Sequence, residues 1–182
     1  SIAISKGNFL LTHGKVFSYI ENNQLVYSDS LPELITAVKL HDSSILLGTA
    51  GNGLFSVNPK TRVVKVILEV NTGFVNDILI TNNAIWIAHD NSISLLNRTN
   101  FTLFQKSNLA ALISKLIKAG NYIIAVGEFG NLYKILDNGK YTGESEGMVH
   151  PNMKFSSNNA DVFGISPEAV SYTHLTLPTI YS

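Results

Sequence analysis

The acid–base and metal chemistry open to this chain begins with its histidines and the carboxylates beside them. His89 is followed directly by Asp90 and Asn91, and about one repeat later stand Glu128 and Phe129. His13 lies near the matching place early in the chain, and His41 and His150 stand apart. An imidazole next to a carboxylate is a general-base or metal-ligand candidate at neutral pH. The wider pattern is thin. No HExxH helix motif, glycine-rich phosphate loop or paired-carboxylate motif occurs. The chain has no cysteine, which excludes disulfides, zinc–thiolate sites and a cysteine nucleophile. The expectation is therefore no catalytic residue, no metal and no cofactor. His13, His89, Asp90, Asn91, Glu128 and Phe129 remain as one candidate binding set. Singly, each reads as a solvated turn residue; together they would make a polar surface edged by an aromatic ring.

A repeat is what would bring them together. Val16, Leu54, Ile93 and Leu132 open four similar segments at steps of 38, 39 and 39 residues, and Phe9, Leu47, Trp86 and Ala125 follow the same steps. Each repeat reads as four short strands returning through tight turns. In the second repeat these are Ile35–Lys39, Ile45–Thr49, Leu54–Val57 and Val63–Val66, with Gly51-Asn52-Gly53 and Asn58-Pro59-Lys60-Thr61 as turn signals. Second strands such as Ile45-Leu46-Leu47 and Ile85-Trp86-Ile87 are apolar throughout, so both faces of each sheet should be covered. Four-stranded sheets stacked face to face at a fixed period predict an all-β fold, a partial β-propeller with four antiparallel blades and the start of a fifth. The expected blades are 1–29, 30–68, 69–106 and 107–145, followed by a linker and partial blade over 146–169. In such a blade the turn between strands two and three shares a face with the blade-to-blade connection. That face would carry the six candidates, and loops on a rigid scaffold are where binding concentrates.

Composition narrows the partners. Hydrophobic residues make up 45% and charged residues 14%, with 13 basic against 13 acidic side chains. A core-rich neutral chain without a basic cluster gives no reason to expect nucleic acid. No apolar run approaches the roughly 20 residues of a membrane-spanning helix. Trp86 is expected in the core. The triplets Asn97-Arg98-Thr99 and Asn100-Phe101-Thr102 fit a glycosylation pattern but are better explained as a strand-three to strand-four turn, since Asn97 repeats Asn58.

Several segments carry a family resemblance: Phe74-Val75-Asn76-Asp77-Ile78, Trp86-Ile87, Gly48-Thr49 and Gly53-Leu54-Phe55, with Ser30-Leu31-Pro32 ahead of a blade. Together they resemble the two-component regulator propeller repeat over residues 1–145. The glycine–threonine pair becomes Ala88-His89 and then Gly127-Glu128 in later repeats, with Glu128 overlying His89. The resemblance implies the extracytoplasmic, periplasmic sensor of a bacterial histidine kinase, binding a glycan, another small ligand or a protein. Two other readings stay open: an enzymatic propeller of lyase or lactonase type, and a secretion-associated propeller that docks another protein.

The last stretch departs from the repeat. Val170 to Thr179 reads V-S-Y-T-H-L-T-L-P-T. It resembles the translation of a common sequencing adapter at every residue, so 170–182 is expected to lie outside the protein's own fold and His174 is set aside. The start, Ser1-Ile2-Ala3-Ile4, falls inside an expected strand, which predicts a segment of a longer protein.

Overall fold

The computed structural model describes the backbone of residues 2–5, 8–68, 73–139, 141–148, 154–157, 162–165 and 173–175, and the side chains of 8–68 and 73–139. His150 lies outside the described residues. The first sheet contains β1 (Ile2–Ser5), β2 (Asn8–His13), β3 (Val16–Glu21) and β4 (Gln24–Ser30). The second contains β5 (Ile35–His41), β6 (Ser44–Thr49), β7 (Leu54–Asn58) and β8 (Val63–Leu68). The third contains β9 (Val75–Ile80), β10 (Ala84–His89), β11 (Ser92–Asn97) and β12 (Leu103–Asn108). The fourth contains β13 (Ile113–Ala119), β14 (Tyr122–Gly127), β15 (Asn131–Leu136) and β16 (Tyr141–Met148). Each is an antiparallel meander in sequence order. A last sheet joins β17 (Lys154–Ser157), β18 (Val162–Ile165) and β19 (Thr173–Leu175).

The sheets stack face to face, and each junction has its own apolar cluster. Leu10, Phe17 and Tyr27 meet Ile45, Leu47, Phe55 and Val57 between sheets one and two. Leu46 and Leu54 meet Val75, Ile85, Ile87 and Leu96 between sheets two and three. Trp86, Ala88, Ile93 and Leu95 meet Ile113, Ile123, Ala125 and Tyr133 between sheets three and four. Burying a leucine- or isoleucine-sized side chain contributes about 1.5–3 kcal/mol, so the second strands, covered on both faces, carry much of the fold. β10 is buried along its whole length. β2 is not, and Leu11 is exposed on its outer side.

These clusters correct the repeat register. The 38, 39, 39 spacing overlays Trp86 on Leu47 and Ala125, but Leu47 and Ala125 face the preceding sheet and Trp86 faces the following one. The residues turned toward the next sheet are Leu10, Leu46, Trp86 and Ile124, and on the third strands Phe17, Leu54, Ile93 and Leu132. The cause is turn length. His13 pairs with Val16 and His89 with Ser92, leaving two residues in those hairpins, whereas Thr49 bonds Gly53 across three. Strand side chains alternate with period two, so one extra turn residue moves a side chain to the other face.

Polar ties cross the same junctions. The Thr36 hydroxyl donates to the Val75 carbonyl at 2.6 Å, and the Asn76 amide, at the equivalent place one sheet later, donates to the Ile113 carbonyl at 2.8 Å. This accounts for an Asn or Thr in the second position of the first strands. Asp77 accepts the Leu116 N–H at 2.9 Å and pairs with Lys115 at 3.3 Å. At the opposite ends of the sheets, the buried His41 ring meets the Arg98 carbonyl at 3.0 Å while Arg98 pairs with Asp42 at 2.8 Å. Asn58 and Asn97 cap their turns alike, each accepting two backbone N–H groups through its side-chain oxygen, as the repeat predicts.

Two outer strands have features of their own. The fourth strand of sheet three starts only at Leu103 and runs to Asn108, because Asn97 to Thr102 close a longer turn in which Phe101 adopts φ +61°. Residues 146–148, expected in the linker, lie inside β16, which follows β15 through register shifts. Thr173–Leu175, from the adapter-like stretch, pairs with β18. Edge pairing uses backbone N–H and C=O groups and does not read side chains, so it is indifferent to that segment's origin. The remainder of 170–182 lies outside the described residues.

Candidate functional site

The turns between second and third strands share one face with the sheet-to-sheet connections, and a repeated hydrogen-bond latch joins them. The Ala50 N–H donates to the Leu34 carbonyl, the Asp90 N–H to Phe74 and the Glu128 N–H to Leu112, at 2.9, 3.2 and 2.8 Å. Each latch spans sixteen residues, from Leu34 to Ala50, Phe74 to Asp90 and Leu112 to Glu128. The next connection closes onto the same turn: Ile35 donates to the Gly14 carbonyl and Ile113 to that of Asp90, at 2.9 and 2.7 Å. Glu128 is therefore the counterpart of Asp90 rather than of His89. His13, His89 and Gly127 occupy one position, and the pair matching Gly48-Thr49 in sheet four is Val126-Gly127.

The structure separates the six candidates. His13 is exposed at the end of β2. His89 is 3% exposed and does not reach the surface. Its Nε2 lies 2.7 Å from the Ser94 hydroxyl and its Nδ1 3.2 Å from that of Ser92. The reason is hairpin geometry: His89 pairs with Ser92, and Ser94 is two residues further along the same side of β11. As a surface-binding residue His89 is overturned. Asp90, half-buried at φ +46°, accepts the Phe74 N–H at 3.1 Å, a structural brace on its own connection. Asn91, Glu128 and Phe129 are exposed, as expected of a binding face.

Burial first, and then the Lys106 charge, hold the His89 imidazole below its ordinary pKa of 6.5, against the opposing Asp90 carboxylate. With the folded value lowered, the unfolded chain binds the proton more readily. The stability due to neutral His89 is complete above the ordinary value and is lost as pH falls through the lowered one. Melting midpoints of the wild type should fall from pH 7 toward pH 5. His89→Gln, which keeps a hydrogen-bonding side chain that does not titrate, should flatten that slope; an unchanged slope would show that another group carries it.

The sequence reading missed the apolar part of this face. Leu34, Phe74 and Leu112 are 50, 53 and 45% exposed, each immediately ahead of a first strand, and Phe129 is 69% exposed. The signal was a large apolar residue before each first strand, hidden because it merges with Ile35, Val75 and Ile113. Between sheets three and four, Asn76, Leu112, Ile113, Ser114 and Glu128 line a cleft of about 290 Å³. Beside its apolar wall stands the exposed Glu128 carboxylate, while the Asn76 amide donates to the Ile113 carbonyl and the Ser114 hydroxyl to the Val126 carbonyl at 2.8 and 3.0 Å, leaving the Asn76 and Ser114 oxygens as acceptors. No group of three or more histidine, aspartate or glutamate side chains that could hold a metal occurs among the described residues. Nor, among them, is any helix long and apolar enough to cross a membrane.

No protein-family model and no curated protein sequence matches the chain. Its backbone is similar to solved structures. The computationally designed Ika8 protein superimposes with a TM-score of 0.69 at 13% identity, over 90% of this chain and 54% of that one. BamB from Moraxella catarrhalis gives 0.68 at 11% identity over 90% and 57%. BBS1N, solved in complex with ARL6DN, gives 0.67 at 13% identity over 90% and 59%. The chain thus has a β-propeller-like fold and spans somewhat more than half the length of these structures.

Proposed function

We propose that the chain is a binding module, four blades and part of a fifth from a larger propeller ring, in the extracytoplasmic sensor of a bacterial two-component signalling protein. The observation that carries the binding role is the latched loop face: Leu34, Phe74, Leu112 and Phe129 hold apolar surface in solvent, and the cleft beside them presents Asn76, Ser114 and Glu128. Single exposed apolar residues are ordinary, but their recurrence at one place on three successive connections, all on the loop face, supports an interaction surface. The occupant that suits aromatic faces beside hydroxyl, amide and carboxylate groups is a glycan, whose ring has a C–H face and a hydroxyl rim. The signalling context rests on the resemblance carried by Phe74-Val75-Asn76-Asp77-Ile78 and Gly53-Leu54-Phe55. BBS1N, a structural neighbour, is found with a protein partner, which supports binding as a use of this fold.

The test is calorimetric titration with cello-, xylo- and laminari-oligosaccharides. At least one should bind, and Phe129→Ala and Glu128→Gln should each weaken it about tenfold, the order expected for an aromatic contact or a charged hydrogen bond. Lys60→Ala, in a turn at the opposite end of its sheet, should change nothing. Binding untouched by the first two substitutions, or no binding by any of these sugars, would count against the glycan-binding face. Sequencing the parent gene tests the context: a membrane helix and kinase domain are expected, and a hydrolase or lyase domain would overturn the sensor role.

A further inference from the structure

At the outer ends of sheets two and three, away from the loop face, a cleft of about 560 Å³ lies between β8 and the Asn100–Thr102 turn. Comparison with the next junction explains why it is open. Between sheets three and four, Leu95 and Gln105 fill the equivalent space: the Gln105 amide donates to the Gly139 carbonyl, and a Cβ built on Gly139 would lie 2.9 Å from Leu95 Cδ2. Leu95 pairs with Gln105, and the matching pair in sheet two is Ser56 with Lys65. A shorter side chain and a charged one leave the junction unfilled. Ser56 has no side-chain hydrogen bond and Lys65 no ion pair among the described residues.

Three further features say what would fit. β8 ends its sheet, so one side of its backbone is unpaired. It is apolar apart from Lys65 and mostly β-branched, with Val63 and Val66 exposed, so Lys65 is the one charged residue within this edge strand; an edge lysine discourages pairing with an apolar or cationic strand, and a strand that brings a carboxylate meets no such penalty. The cleft has apolar walls in Ile67 and Phe101, one cation in Lys65, and no acidic lining residue. We infer that this cleft is a docking site for an extended protein segment that adds a strand to β8, placing a carboxylate against Lys65 and Ser56 and an apolar side chain against Ile67 and Phe101. The backbone edge sets an extended conformation, the alternation of side chains sets which positions enter the cleft, and the lone lysine sets the charge.

The probe is a fluorescein-labelled peptide, Ile-Thr-Asp-Thr-Ile-Thr, which carries isoleucine, aspartate and isoleucine on one strand face, and its counterpart with lysine for aspartate. Fluorescence anisotropy with the whole chain should show saturable binding of the acidic peptide, about fivefold or more tighter than the basic one, the order expected when an attractive surface charge pair is exchanged for a repulsive one. Lys65→Glu should reverse that order. The double variant Ser56→Leu with Lys65→Gln copies the Leu95–Gln105 pair; it should melt no lower than wild type and bind neither peptide. Equal affinity for both peptides, no saturation by about 1 mM, or binding that survives the filled cleft would overturn the inference. Should the double variant fail to fold, Lys65→Glu alone decides the matter.

Discussion

Trp86→Ala is expected to cost about 3–5 kcal/mol, the range for emptying a large aromatic site in a core, and so to lower the melting midpoint by roughly 10 °C for a domain of this size. Trp86 is 1% exposed and sits between Ala84, Ala88 and Leu95 of its own sheet and Leu116, Ile123 and Tyr133 of the next. The strands on either side are tied by ladder hydrogen bonds, so the space cannot close by collapse. Its indole Nε1–H finds no acceptor among the described groups, and an unmade buried hydrogen bond costs about 1–3 kcal/mol. Trp86→Phe removes that donor while keeping most of the apolar volume. It should therefore stay within about 1 kcal/mol of wild type. Thermal unfolding followed by circular dichroism compares the two. Equal losses would mean that the indole N–H is satisfied in solution, and a small loss for alanine would mean that the junction between sheets three and four is not packed.

Gly48→Val should be as damaging by the opposite route. A Cβ built at Gly48 would lie 2.7 Å from Val75 Cβ and 3.2 Å from Ala37 Cβ. Both are carried on first strands, whose own latches and ties prevent retreat: Thr36 is bonded to the Val75 carbonyl and the Ala50 N–H to the Leu34 carbonyl. Overpacking a core by a methyl or more costs about 1–3 kcal/mol, and a branched side chain meeting backbone-fixed atoms should reach about 3 kcal/mol or beyond. Gly48→Ala gains up to about 1 kcal/mol from reduced unfolded-state freedom, so its net cost should be smaller. Pairing it with Val75→Gly should give a loss smaller than the sum of the two single losses, because the clash is shared. Urea titration of the four proteins reads this directly, and additive losses would sink the claim of direct contact.

Much of the fold was legible because it rests on local chemistry repeated. The apolar second strands and the Asn58 and Asn97 turns were placed from residue type and spacing. The candidate face was half legible. Asn91, Glu128 and Phe129 are exposed where the loop argument put them, but His89 is enclosed by Ser92 and Ser94, and Leu34, Phe74 and Leu112 went unnoticed.

The misplaced register of Trp86 has a cause of its own. A spacing of 39 residues is the sum of several turn lengths and cannot tell a two-residue hairpin from a three-residue one compensated elsewhere. In a strand, one residue is the difference between facing the previous sheet and facing the next. The amino-acid sequence by itself determined that the chain makes four-stranded antiparallel sheets at a fixed period and that Trp86 is buried, since period, turn residues and apolar runs are local properties. Which junction Trp86 fills, whether His89 meets water, which apolar residues the latches leave outside and which junction stays unfilled were decided only by the tertiary structure. For His89 the deciding contact is its own hairpin, with Ser92 and Ser94; the others depend on where a neighbouring sheet's backbone lies, a distance set by the packing of residues about forty positions apart.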